Sequence, residues 1–207
     1  MSRIGWLPLL LLLNNPASAS ALSFEGNLDP VNPNDVFLTT FTLSSQADVA
    51  VQTWGYGGTA GAPSGANATG VVIGAGGFDP YVSLFVGAGA GATFLASNDD
   101  GLCPPGTPFP ACADSTLRVI GLAAGTYTLA LTLPFNFSFA ENLGAGNLGD
   151  GFIGLDASYS DGSCAGVCTN HYAVDITSAG LVPEPTTTSL LLAGVLAVTR
   201  WTRRRHA

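Results

Sequence analysis

Between residues 22 and 182 the apolar side chains recur with a period of two, and no amphipathic helical pattern of ordinary length appears. Residues 36–43 alternate Phe37, Thr39, Phe41 and Leu43 with Val36, Leu38, Thr40 and Thr42. Residues 48–54 put Val49, Val51 and Thr53 on one face, and residues 126–133 are the most regular run, with Tyr127, Leu129 and Leu131 together. β-Branched and aromatic residues dominate these runs, so they predict strands. Further strands are expected at 23–28, 81–86, 93–97, 115–120 and 172–177, with fainter ones at 71–73 and 152–159. Ser44-Ser45-Gln46-Ala47 is expected to join the strands at 36–43 and 48–54 into a hairpin. Residues 55–77, rich in Gly and Ala, have too few large apolar side chains to form a core and are expected to be mostly loop, as are residues 134–151. Eight or so short strands punctuated by Gly and Pro predict an all-β antiparallel sandwich as a single domain, residues 22–181.

Both ends read as targeting segments. Residues 1–21 contain Arg3, an apolar run at 4–13 and the small-residue stretch Pro16-Ala17-Ser18-Ala19-Ser20-Ala21, the three parts of a secretory signal peptide with its helix. Cleavage after Ala19 or after Ala21 satisfies the small-x-small rule, and the boundary is drawn here after Ala21. Residues 182–207 begin Val182-Pro183-Glu184-Pro185 and continue with four hydroxyl residues, an apolar run at 190–198, and Trp201 among Arg200, Arg203, Arg204 and Arg205. The nine-residue apolar run is shorter than the roughly 20 residues that a helix needs to span a bilayer. The arginines favour the cytoplasmic side, which puts the body outside. Pro183 and Pro185 keep their segment extended and accessible to a protease.

This order of Pro-Glu-Pro, short hydrophobic helix and Arg-rich stop closely resembles the PEP-CTERM sorting signal of Gram-negative bacteria. The resemblance implies passage through the Sec export machinery and transient anchoring in the inner membrane by the C-terminal helix. Exosortase, a membrane protease, would then deliver the protein to the cell surface or extracellular matrix. An ordinary single-pass anchor is the alternative reading of the same tail.

Residues 22–182 hold one basic residue, Arg118, against thirteen acidic ones, a formal charge of −12 compared with −8 for the whole chain. Such a surface repels phosphate backbones, which argues against a nucleic-acid partner and suits solubility outside the cell or divalent cations. Four cysteines in an exported chain read as disulfides, the local pairing being Cys103 with Cys112 and Cys164 with Cys168. A four-cysteine zinc site is the rival, although neither spacing matches the usual Cys-x2-Cys hook.

Five motifs in order carry a second resemblance: Asp-Val-Phe with Phe-Thr-Leu (35–43), Asp-Pro-x-x-Ser-Leu-Phe (79–85), Leu-Ala-Ser-Asn-Asp-Asp-Gly (95–101), Ala-Gly-Thr-Tyr-Thr-Leu (124–129) and Tyr-Ala-Val-Asp-Ile (172–176). Together they look like the bacterial pre-peptidase C-terminal domain. That family implies a jelly-roll-like β-sandwich of the kind appended to secreted enzymes, here without an enzyme domain beside it.

Asp79, Asn98, Asp99, Asp100 and Asp114 are expected near one loop mouth, where their oxygens would suit Ca²⁺; the alternative is that Asn98-Asp99-Asp100-Gly101 forms only an Asx turn. His171 is the one histidine of the body, with no Gly-x-Ser-x-Gly elbow and no His-Glu-x-x-His helix to make it catalytic. Asn67 and Asn136 begin glycan-acceptor tripeptides that are read as surface loops. Trp54, Tyr56, Phe135, Phe137 and Phe139 are candidates for stacking on sugars or for the core. The expected function is a non-enzymatic surface or matrix protein associated with exopolysaccharide or biofilm. A Ca²⁺-dependent or carbohydrate-binding module is the alternative, and a secreted hydrolase the more distant one.

Overall fold

The alternation seen in the sequence becomes burial in the structure, a computed structural model that describes residues 20–55, 66–74, 76–101, 113–159 and 169–182. The strands are β1 (Ser20–Asn27), β2 (Phe37–Leu43), β3 (Ala47–Trp54), β4 (Tyr81–Val86), β5 (Thr93–Asn98), β6 (Thr116–Leu122), β7 (Gly125–Thr132) and β8 (His171–Ser178). One short helix, α1 (Phe139–Leu143), and a 3-10 turn, Leu148–Asp150, interrupt the β pattern. The expected signal-peptide and C-terminal helices, Pro183 to Arg205 of the sorting segment and all four cysteines lie outside the described residues.

Two antiparallel sheets form, in the orders β1-β8-β3-β6 and β2-β7-β4-β5. Strand one pairs with eight, two with seven, three with six and four with five. The added pairs β3 with β8 and β4 with β7 roll this long ladder over on itself. That is the eight-stranded jelly roll, a β-sandwich as expected. Phe41, Leu43, Val49, Val51, Val82, Leu84, Leu129, Leu131, Val174 and Ile176 interdigitate between the sheets. Each such fully buried side chain contributes on the order of 2 kcal/mol through apolar burial.

The expected β2–β3 hairpin does not form, because β2 pairs with β7 whereas β3 pairs with β6 and β8. The connection crosses between layers, and Phe41 and Leu43 of one sheet then meet Val49 and Val51 of the other in one core. Side by side in one sheet, the same residues would cover one layer and leave the other without its facing side. The corner is fastened where the Ser44 amide and hydroxyl both donate to the Gly180 carbonyl, at 2.9 and 3.2 Å. Two fainter expectations also yield no strand. Phe152 makes a single bridge with Ser138, Val72 one with Ala66, and residues 156–159 turn on Asp156, whose carboxylate takes the Ser158 amide and hydroxyl. Those two bonds hold the Asp156 carboxyl below its ordinary value.

The 134–155 excursion does more than connect strands. It lies over the outer face of the second sheet and makes a small second core of Phe85, Ala92, Ala130 and Ala140, with Val36, Phe94, Leu148 and Phe152 around it. The Ser138 side chain caps α1 by accepting from the Glu141 amide.

Strand register gives the sandwich two unlike ends. At one end lie the short connections 44–46, 87–92 and 123–124, the start of β1 and the end of β8. Ser20 there pairs with Ser178, and the chain leaves the sandwich through a Leu43–Leu181 bridge and a Val182 amide bond to Thr42. At the opposite end lie connections 28–36, 55–80, 99–115 and 133–170. An eight-residue strand separates the two ends by roughly 20–25 Å.

Candidate functional site

The loop end gathers most of the residues that the sequence marks as candidates. Asp79 stands two residues ahead of β4, Asn98 closes β5, Asp99 and Asp100 follow it, and Asp114 stands two residues ahead of β6. The antiparallel register brings all five to that end because each begins or ends its strand there. Their neighbourhood is organised by Ser115, which the sequence reading took for an ordinary strand residue. Ser115 is fully buried, and its Oγ lies 2.5 Å from the Pro80 carbonyl, 2.6 Å from that of Asp99 and 3.1 Å from that of Asn98. Its amide donates to Thr53 Oγ1 at 2.7 Å, and Thr53 Oγ1 in turn donates to Asp114 Oδ1 at 3.0 Å. One buried hydroxyl therefore ties the entry to β4, the exit from β5 and the entry to β6.

Asn98 makes the Asx turn: its Oδ1 accepts from the Asp100 amide at 2.8 Å while Nδ2 donates to the Thr116 carbonyl at 2.8 Å. Asp100 is exposed, and Asp79, Asp99 and Asp114 are partly buried. Among the described residues no three His, Cys, Asp or Glu side chains come together as a group that could hold a metal ion.

A second constellation at this end is aromatic. Phe135 is 58% exposed and holds φ at +67°, a left-handed conformation that bulky side chains rarely adopt. Its ring meets Phe137 edge-on at 6.1 Å, and Phe137 meets Tyr81 edge-on at 5.0 Å. The Tyr81 hydroxyl donates to the Glu141 carboxylate of α1, and burial first, then that bond, pushes its pKa up to about 12. Phe139 and Ile153 are also exposed, and the Phe139 and Ile153 amides donate to the Gly151 and Phe137 carbonyls. An exposed aromatic ring on a braced loop is the kind of surface on which sugar rings stack.

The other described candidates are already engaged. Trp54 Nε1 donates to Asp175 Oδ2 at 2.7 Å, so its polar edge is spent inside the fold. Tyr56 lies outside the described residues. Asn136, read as a surface-loop glycan acceptor, is instead fully buried; its carbonyl takes the Thr132 hydroxyl, and its side-chain oxygen takes the Gly154 amide. Asn67 folds an Asx turn in which its Oδ1 accepts from the Thr69 amide and hydroxyl and the Val71 amide. His171 Nε2 lies 3.0 Å from Glu25 Oε1 at the edge of the first sheet.

Sequence reasoning missed Asp175. It stands on the outer face of β8, is 3% exposed, and accepts from Ser23 Oγ at 2.5 Å, Trp54 Nε1 at 2.7 Å and the Ala68 amide at 2.6 Å. This carboxylate pins the 66–72 segment of the Gly-rich loop onto three strands. The signal available in advance was its position: an acid in an otherwise β-branched and apolar strand, out of phase with Val174 and Ile176.

Comparison with protein-family models and with curated protein sequences finds no match.

Proposed function

We propose that the chain is an exported, non-enzymatic protein of the cell surface or extracellular matrix, sorted by an exosortase and associated with extracellular polysaccharide. What carries this reading is the order of the tail in the sequence. The sandwich is closed by Leu181 and Val182, and Pro183-Glu184-Pro185 follows at once in the chain. Two prolines in three residues favour the extended backbone that a protease needs in its substrate. The Arg200, Arg203, Arg204 and Arg205 stop and the −12 body support the same reading. No helix among the described residues is long and apolar enough to cross a membrane. Transient anchoring falls to residues 186–201.

Intact-mass spectrometry of the protein from fractionated host cells tests the proposal. A species ending near Pro185 in the extracellular fraction is expected. A species that keeps Arg203 to Ala207 in the inner membrane overturns it.

The exposed, left-handed Phe135 favours one further reading within this function: the loop end is where polysaccharide is met. A non-glycine residue held at positive φ is strained, and strain of this kind concentrates at ligand-contacting positions. Binding to acidic and neutral exopolysaccharides should weaken at least tenfold in Phe135→Ala with the melting temperature kept; unchanged affinity removes Phe135 from the site. For the Ca²⁺ alternative, a ligand that binds only the folded state must raise its melting temperature. No rise at millimolar Ca²⁺ would dismiss Asp79, Asn98, Asp99, Asp100 and Asp114 as a site for that ion.

A further inference from the structure

We propose that the outer face of the first sheet binds an acidic sugar, with the Arg118 guanidinium holding the carboxylate of a uronic acid unit in a polysaccharide. The inference rests on the polysaccharide association proposed above and adds to it a sugar class and a second contact face. β8, β3 and β6 lie side by side in that sheet. Register sets Arg118 opposite Ala50 and Ala50 opposite Thr177, so the three make one row across the face. Adjacent strands stand about 4.8 Å apart, so the row is roughly 10 Å wide. One row further along, the face is closed where the Ala68 amide bonds Asp175. In the open part, the small side chains of Ala50 and Thr177 leave a depression of about 260 Å³, lined also by Arg118 and Asp48. Drug-sized pockets begin at about 300 Å³, so this volume suits one sugar unit of a chain that continues beyond it.

Charge decides which sugar. Arg118 is the one Lys or Arg among the described residues, in a body with thirteen acidic residues. Screening confines its attraction to roughly 8 Å, so an anionic chain is held here and repelled elsewhere. The guanidinium has five N–H donors and engages Asp48 Oδ2 through Nη2 alone, at 3.3 Å. That contact is longer than the ~2.7–2.9 Å of a tight charge-assisted bond, and the Arg118 side chain is 68% exposed. Its planar fork can therefore take both oxygens of a carboxylate. Asp48 is fixed independently, because its Oδ1 accepts from the Gly121 amide at 3.0 Å. Its carboxylate accepts sugar hydroxyls but repels an acidic peptide. A donor fork beside an acceptor matches a ligand that carries a carboxylate and hydroxyls on one ring.

The test compares binding of oligogalacturonate with binding of the same oligosaccharide after its carboxylates are reduced to alcohols. The acidic form should bind about tenfold tighter, and Arg118→Gln should abolish that preference with the melting temperature kept. Ala50→Phe fills the depression beside an intact Arg118 and should abolish it too. Equal affinity for both forms, or a preference that survives either variant, overturns the proposal. Equal competition by polyglutamate at matched carboxylate concentration also overturns it, because the site then reads charge alone. Phe135→Ala should leave the preference intact, and its loss there would move the acidic contact to the loop end and overturn this site. Binding of both forms without preference removes this site and leaves the polysaccharide reading standing. Failure to bind either form or any other exopolysaccharide overturns both.

Discussion

The two ends of this sandwich solve the same problem, joining antiparallel strands, by different means. At the short-turn end the connections are a few residues long and their backbones bond directly to neighbouring strands, as where Gly87 donates to Thr126 and Ser44 to Gly180. At the opposite end the connections are long, and polar side chains fasten them. Ser115 Oγ stands within hydrogen-bond distance of three carbonyls with one hydrogen to donate, Asp175 accepts from three donors, and Asn34 binds both the amide and the carbonyl of Leu155, at 2.5 and 3.0 Å. Backbone groups of these long connections that leave water need a partner in its place, and these side chains supply it. The start of β1 and the end of β8 lie at the short-turn end, and the long end carries the exposed Phe135 ring and the exposed Asp100 side chain.

The largest test of this contrast is Asp175→Ala. It leaves three donors without their acceptor in a buried place and should lower unfolding free energy by about 3 kcal/mol, read by urea denaturation. Hydrogen exchange of the Ala68 amide should speed markedly, while Gly87 at the short end slows or speeds only with global stability. Equal loss of protection at both ends would break the distinction.

A smaller effect should appear with pH. The Tyr81 hydroxyl is pushed up to about 12 by burial and by its bond to Glu141, against about 10 in an unfolded chain. The unfolded state therefore loses this proton first. The stabilisation is full below pH 10 and is lost as pH rises from about 10 to 12, amounting to roughly 2 kcal/mol. Tyr81→Phe should flatten the alkaline limb of a stability–pH curve; an unaltered limb would assign it to other groups. Tyr172, raised chiefly by burial and also by Asp35, titrates upward too and should remain in that variant.

The smallest effects should have opposite signs at the two ends. Gly87 holds φ at +101° in a short turn, and Gly87→Ala should destabilise by about 1 kcal/mol. Phe135 holds φ at +67° in a long loop, and Phe135→Gly should stabilise by up to about 1 kcal/mol through relief of strain. Destabilisation in both variants would mean that the Phe135 ring belongs to the packing and is not presented for contact.

Asp79, Asn98, Asp99, Asp100 and Asp114 could be placed at one end of the sandwich in advance because each stands at or next to the end of a recognisable strand, and strand ends alternate between the two ends; among the described residues no three acidic side chains come together as a metal-holding group. Ser115 and Asp175 could not be found that way. Their importance comes from partners far along the chain, Pro80 and Asp99 for one, Ser23, Trp54 and Ala68 for the other.

The amino-acid order alone determined where the eight strands of the sandwich lie, to within a few residues, because period-two alternation is a local property that each strand carries by itself. It determined the all-β class for the same reason, and it marked the two terminal segments through charge and apolar length. Only the tertiary structure decided that β2 and β3 belong to different sheets. A three-residue connection serves a hairpin or a crossing between layers equally well, and the choice rests on burying Phe41 and Leu43 against Val49 and Val51. Tertiary structure alone also made Asn136 a buried residue and Asp175 a clamp, since burial and hydrogen-bond partners are properties of the assembled sandwich.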